Sequence, residues 1–145
     1  MTAALSLEEI HAFLDSRPGW IALTTQGKDG YPHTIPIGYF RDGDAVCMGC
    51  RAPTQKTRNI ERNPRVSLML ESGSSMADIK GVVIQGDAEV VTSGPDLLRL
   101  AREGARHRGA PEDQLPTEPP PGAAYIRVTP KKYISWDYAK NPPRR

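Results

Sequence analysis

The chain has 145 residues, of which 38% are hydrophobic and 25% charged, and it carries a formal net charge of +2. That is the length of one ordinary domain, taken as 1–145, with enough apolar content to bury a core, which excludes an intrinsically disordered chain. The charge is too small to drive binding to nucleic acid or to an acidic membrane, so any basic site has to be local.

The N-terminal segment MTAALSLEEIHAFLDSRPGW lacks a basic start followed by a long apolar run. No window approaches the roughly 18 apolar residues of a membrane span, and a cytoplasmic protein is expected. Cys47 and Cys50 are the only cysteines. They exclude a disulfide framework and a four-thiolate zinc site within one chain, and they fit a reducing compartment.

In chain order, Ser6-Leu7-Glu8-Glu9 reads as a capping box opening a short helix, with Leu7, Ile10, Phe13 and Leu14 at helical spacing and Pro18-Gly19 as its stop. From Trp20 the period becomes that of strands: WIALTTQ, the turn GKDG, YPHTIPIGYF, the turn RDGD, then AVCMGC. Asp29-Gly30 and Asp42-Gly43 are hairpin signals, so this is an antiparallel meander. Pro32 and Pro36 cannot donate to a ladder and predict a sheet edge or an interruption, which can leave backbone groups for a ligand.

TQKTRNIERN predicts a short helix with Thr54 as N-cap, ended by Asn63-Pro64. RVSLMLE is a strand, and after the loop SGSSMAD comes the long strand IKGVVIQGDAEVV, where Gly81 and Gly86 permit bends or close packing. Gly94-Pro95 opens a helix whose Leu97, Leu98 and Ala101 form an apolar stripe beside Arg99, Arg102, Arg106 and Arg108. RGAPEDQLPTEPPPG is a proline-rich surface loop, too polar for core. AAYIRVTP and KKYISWDY are expected as two strands, followed by a frayed tail, KNPPRR. About seven strands with three short helices define a mainly β class, a small antiparallel barrel with peripheral helices.

The segment RAPTQKTRNIERNP, 51–64, gathers Arg51, Lys56, Arg58 and Arg62 around a single acidic residue, Glu61. A helix N-terminus offers unpaired amides and the positive end of the dipole, so Thr54 with Lys56 in the first turn suits a phosphate, and Arg51 and Arg58 can add charge-assisted contacts. The bland alternative is a solvated basic helix. Cys47 and Cys50 lie three apart on a strand, where such positions face opposite sides, so they are expected to diverge. His11, His33 and His107 fall in different elements without ligand spacing, and no metal is expected. His33, beside Pro32, is either a ligand contact or a surface or packing residue. Nucleophile-elbow, P-loop and dinucleotide-binding signatures are all missing.

The order of these pieces resembles the pyridoxamine 5′-phosphate oxidase-like split-barrel family, over roughly residues 7 to 138. The specific part is Thr54, Lys56, Ile60 and Asn63-Pro64 leading into RVSLML, supported by the DG-x-P-H pattern at Asp29 to His33 and by Gly86, Ala88 and Glu89. The resemblance implies a homodimer of split barrels with flavin-type cofactors at the subunit interface. The Ser-Arg-Lys segment that grips the FMN phosphate in the oxidases falls on Thr54, Gln55 and Lys56. Gln55 departs from that pattern, removing one guanidinium and leaving Arg51 or Arg58 as substitutes.

The resemblance further implies that the backbone of Pro36, Ile37 and Gly38 lies against the cofactor ring, and that a loop at Lys80 and Gly81, or Trp136, comes from the second subunit. FMN and coenzyme F-420 both remain open as the cofactor. The function implied is hydride transfer between that cofactor and a small organic substrate, with no catalytic side chain named. The alternative is a non-catalytic flavin-binding or ligand-sensing module of the same fold. The chain lacks the length and the C-terminal basic motif of the oxidases proper, so vitamin-B6 oxidation is not implied.

Overall fold

A computed structural model describes residues 4–140, and the expected fraying of the tail beyond Lys140 lies outside the described residues. Three helices, α1 (Leu7–Ser16), α2 (Gln55–Arg62) and α3 (Gly94–His107), surround one sheet. Its strands are β1 (Ile21–Gln26), β2 (Pro32–Ile37), β3 (Phe40–Asp42), β4 (Ala45–Arg51), β5 (Arg65–Ser72), β6 (Lys80–Val91) and β7 (Ala123–Asp137). They are ordered β2-β1-β5-β6-β7-β4-β3, with every pair antiparallel. The mainly β class holds, and the sheet is not closed by hydrogen bonds.

YPHTIPIGYF is therefore two strands rather than one. Pro32 and Pro36 confine β2 to one edge of the sheet, as their missing N–H groups require. After Gly38 and Tyr39 the chain resumes as β3 at the opposite edge. The predicted pair AAYIRVTP and KKYISWDY is, conversely, the single strand β7. Its partner β6 pairs Gln85 with Lys132 and Gly86 with Pro130, so Lys131 is bulged out. A bulge absorbs a proline without ending a strand, which is why Pro130 misleads as a terminator.

The alternation of each strand separates two faces. Ile21, Leu23, Leu68, Leu70, Val82, Ile84, Ile126 and Val128 point inward, where α1 adds Ile10, Phe13 and Leu14. The predicted capping box is present: the Glu9 amide donates to Ser6 Oγ and the Ser6 amide to Glu9 Oε1. Leu7 does not join the core and is 50% exposed. A second cluster forms where α3 lays Leu97, Leu100 and Ala101 on Phe40, Cys47 and Tyr125. Leu100 thus takes the place expected of the half-buried Leu98. Leu115 is also buried, so the proline-rich segment contributes one side chain to packing.

On the outer face, register aligns Pro36, Ala22, Met69, Val83 and Ile134 in one apolar row across five strands. Thr34, Thr24, Ser67, Gln85 and Lys132 form a polar row beside it.

At the bulge, a Cβ on Gly86 would lie 2.3 Å from Thr129 O, a backbone atom that cannot turn away. Gly86→Ala is expected to lower stability by about 1–3 kcal/mol, the usual range for overpacking. Urea unfolding followed by circular dichroism measures it, and an unchanged midpoint would show that the β6–β7 contact is loose.

Candidate functional site

The basic segment starts α2 as expected, with Thr54 at the N-cap. The bond that closes the cap is reversed from the usual form: the Thr54 amide donates to Thr57 Oγ1 at 2.8 Å, and Thr57 Oγ1 donates to Thr54 O at 3.1 Å. The Thr54 hydroxyl makes only a long contact with Thr57 Oγ1, at 3.4 Å, and stays available. Gln55 Nε2 donates to Asn59 Oδ1 at 2.8 Å. Asn59 is fully buried and donates to Thr25 Oγ1, while Arg62 donates to Asn59 Oδ1 and Gln26 O. Gln55 therefore serves as one end of a network tying α2 to β1, and Arg62 is used there as well.

Arg51, Lys56 and Arg58 are in a different position. Among the described residues, the ion pairs engage Arg41, Arg99, Arg106, Arg127 and Lys140, together with His11 if protonated, and none engages these three. Lys56 lies close enough to Cys50 to favour its thiolate, and Arg51 Nη1 would lie 3.2 Å from a Cβ on Gly122. Three cations without ion-pair partners, a free hydroxyl and first-turn amides thus fall within residues 51–58 around one helix N-terminus, a donor set suited to a phosphate.

Gly38 borders a cavity of about 500 Å³ in the seam beside α3. Trp20, 73% exposed, stands at this cavity, and a Cβ on Gly38 would touch its ring at 3.5 Å. Tyr39 lines it too, donating to Leu14 O, with its phenol pushed up to about 12 by burial. Gly49 belongs to the same wall, and from Gly49 the strand leads directly through Arg51 to the α2 N-terminus. Pro36 is exposed on the outer face, whereas Ile37 packs its side chain against the core. Lys80 and Gly81 begin β6, as the reading of IKGVVIQGDAEVV as a strand has it, rather than the loop that the resemblance implies; Gly81 lies under the Trp136 ring, and Lys80 Nζ sits 5.0 Å from the centre of the Phe13 ring. These three do not line the cavity that Gly38 borders.

Tyr125, Arg108, Gly49 and Gly104 also line this cavity, and sequence reasoning did not single them out for a site. The available signal was Gly104, because a glycine inside a helix costs about 1 kcal/mol and usually has a packing reason. His33 borders a separate depression with Gln55 and Asn59, and its Nδ1 has no hydrogen-bond partner among the described residues.

The arginines of α3 are spent on structure. Arg99 pairs with Asp42 and Asp96, Arg102 donates to Pro116 O, and Arg106 pairs with Glu103 and Glu112. Arg127 bridges Glu89 and Asp96, and it holds the Asp96 carboxyl below the usual range. The cysteines diverge as expected: Cys47 packs in the α3 cluster and Cys50 against the interior. No group of three or more His, Cys, Asp or Glu residues placed to hold a metal is present among the described residues. No helix among them is long and apolar enough to cross a membrane.

An open antiparallel sheet curled so that its two edges approach, with a helix N-terminus and a cavity at the seam, defines a split-barrel protein. Residues 6–137 match the family model described as pyridoxamine 5′-phosphate oxidase, and the chain belongs to that family, which binds flavins. The conserved hypothetical protein Rv2991 from Mycobacterium tuberculosis is similar at 26% identity, with a TM-score of 0.83 over 97% of this chain and 90% of that one. An F-420 reductase is similar at 24% identity, with a TM-score of 0.64 over 86% and 94% of the respective chains. A FAD-binding protein from Mesorhizobium loti is similar at 18% identity, with a TM-score of 0.64 over 93% and 94%. No curated protein matches the sequence.

Burial pushes the Cys47 thiol up to about 12 and raises that of Cys50 as well. Neither cysteine is expected to react with a disulfide reagent at pH 8 in the folded protein, and both should react in denaturant. Rapid native labelling of Cys47, read by mass spectrometry, would contradict the burial.

Proposed function

We propose that this protein is an oxidoreductase that uses FMN or coenzyme F-420 to exchange a hydride with a small organic substrate. The observation that carries this reading is the uncompensated cation group of Arg51, Lys56 and Arg58 at the α2 N-terminus, in a chain of a flavin-binding family. Thr54 and the first-turn amides complete a phosphate grip, with Gln55 holding the helix against β1 through Asn59. The bound cofactor supplies the hydride chemistry. The chain binds, orients and excludes water, so no acid–base pair is demanded of the protein. The backbone of Pro36, Ile37 and Gly38 at the open edge of β2 offers unpaired groups to the ring.

The same proposal includes a homodimer. The apolar row from Pro36 to Ile134 leaves Met69 at 39% and Ile134 at 42% exposure, and a second copy would cover it by isologous packing. Lys80, Gly81 and Trp136 lie away from the cavity bordered by Gly38, which suits a contribution to the other protomer's site. We place the protein in the cytoplasm.

Titration with FMN and with F-420, followed by absorbance, tests the cofactor. Micromolar binding of one is expected, and binding of neither would sink the reading. Tight binding without turnover under any reductant would favour the binding-module alternative. Lys56→Ala should weaken the cofactor by about tenfold or more, the loss of one charge-assisted contact, with the circular dichroism spectrum unchanged. Met69→Glu should turn a dimer into a monomer in sedimentation velocity, and a wild-type monomer would remove the assembly from the proposal.

A further inference from the structure

Two cavities meet at one residue, Tyr125. Tyr125 is only 6% exposed, and its hydroxyl makes no hydrogen bond to any described residue. The ring is covered while the hydroxyl opens into the cavities, where it is free to meet a ligand. The ring lines both the cavity beside Gly38 and a second one of about 510 Å³. That second chamber lies under the proline-rich segment and is lined by Ala101, Ala105, Pro116, Pro120 and Ala123. Gly49 and Arg108 are shared between the two cavities in the same way.

The glycines hold this junction open. A Cβ on Gly104 would come within 2.7 Å of Tyr125 Oη and 3.3 Å of Arg108 Nη1, so both polar groups converge above that helix position. A Cβ on Gly49 would meet the same ring at 3.2 Å. The neighbouring cations are occupied: Arg17 donates to His107 O, Arg102 to Pro116 O, and Arg106 pairs with Glu112. The His107 ring stacks on Phe40, with centroids 5.0 Å apart. Arg108 alone of these arginines makes no ion pair or side-chain hydrogen bond among the described residues.

We propose that the paired cavities bind an apolar carboxylate, its charged group held by Tyr125 Oη and Arg108 and its body in the alanine- and proline-lined chamber. One guanidinium and one hydroxyl match the single charge and two oxygens of a carboxylate, and they are too few donors for a phosphate dianion. Away from Arg108 and Tyr125, the chamber is lined by alanines and prolines with only the Gln114 amide and the Cys50 thiol among them, which selects an aliphatic or aromatic body over a sugar or a peptide. As the site of the substrate this rests on the oxidoreductase reading, since Gly38 borders the first cavity; as a binding site it does not.

The test is calorimetric titration of the full chain with 4-phenylbutanoate, in parallel with 4-phenylbutanamide, phenyl phosphate and acetate, each with and without FMN. The carboxylate should bind about tenfold or more tighter than each of the other three. Arg108→Gln, at an exposed position, and Tyr125→Phe should each weaken it by about the same factor while leaving the amide unaffected. Amide binding as tight as the acid, no binding of the acid at millimolar concentration, or an unchanged acid affinity in a folded Arg108→Gln protein would each overturn the proposal. Acid binding in a protein that takes neither FMN nor F-420 would leave this site standing and remove the cofactor reading alone.

Discussion

Gly38 and Tyr39 join two strands that sit at opposite edges of a seven-stranded sheet. Two linking residues span at most about 10 Å, whereas a flat sheet with neighbours about 4.8 Å apart would separate its edges by nearly three times that. The sheet therefore has to curl until β2 and β3 approach, and its natural twist supplies the direction. The seam this creates is where Gly38, Trp20 and Gly49 line the first cavity. Prolines at Pro32 and Pro36 keep β2 from pairing further, so the seam stays open and the curled sheet remains a split barrel.

Charge is distributed around this seam unevenly. On the α3 side almost every arginine is neutralised by a carboxylate or a carbonyl within the chain, and these pairs fasten α3 to β3, to β7 and to the proline-rich segment. At the start of α2 the cations have no such partners. Exposed ion pairs contribute little stability each, so the arrangement matters less for folding than for where positive potential is left over. A net charge of +2 hides that contrast. The leftover charge is concentrated at the helix end whose amides already favour an anion.

The parts of this architecture that are local were legible in the sequence. Ser6 and Glu9 mark a helix start, Asp29-Gly30 and Asp42-Gly43 mark turns, and Pro32 with Pro36 mark an edge, because each signal acts within a few residues of itself. Alternation on β4 separated Cys47 from Cys50 for the same reason. Signals that depend on a distant partner misled. Pro130 reads as a terminator until β6 is known to bulge opposite it, and Leu98 reads as core until Phe40 and Tyr125 fix which side of α3 is covered. The phosphate-suited helix end was visible as a motif. The role of Gln55 was not, since it turns on Asn59 and Thr25, and Thr25 lies thirty residues upstream.

The junction at Tyr125 brings together choices that folding alone does not call for. Gly104 weakens the middle of a helix by about 1 kcal/mol relative to alanine. The Tyr125 hydroxyl has no protein partner and opens into the cavities, and Arg108 beside it has no counter-ion among the described residues. Any one of these is unremarkable in a natural protein. Their coincidence at one point is not explained by packing, because phenylalanine at 125 would keep the ring in the α3 cluster while removing the hydroxyl oxygen that only a glycine at 104 leaves room for. Local rules broken together, on elements that obey them elsewhere, mark a place shaped by something the protein binds. The Gly104 approach sets the phenol and the guanidinium side by side, and that adjacency is what the sacrificed stability maintains.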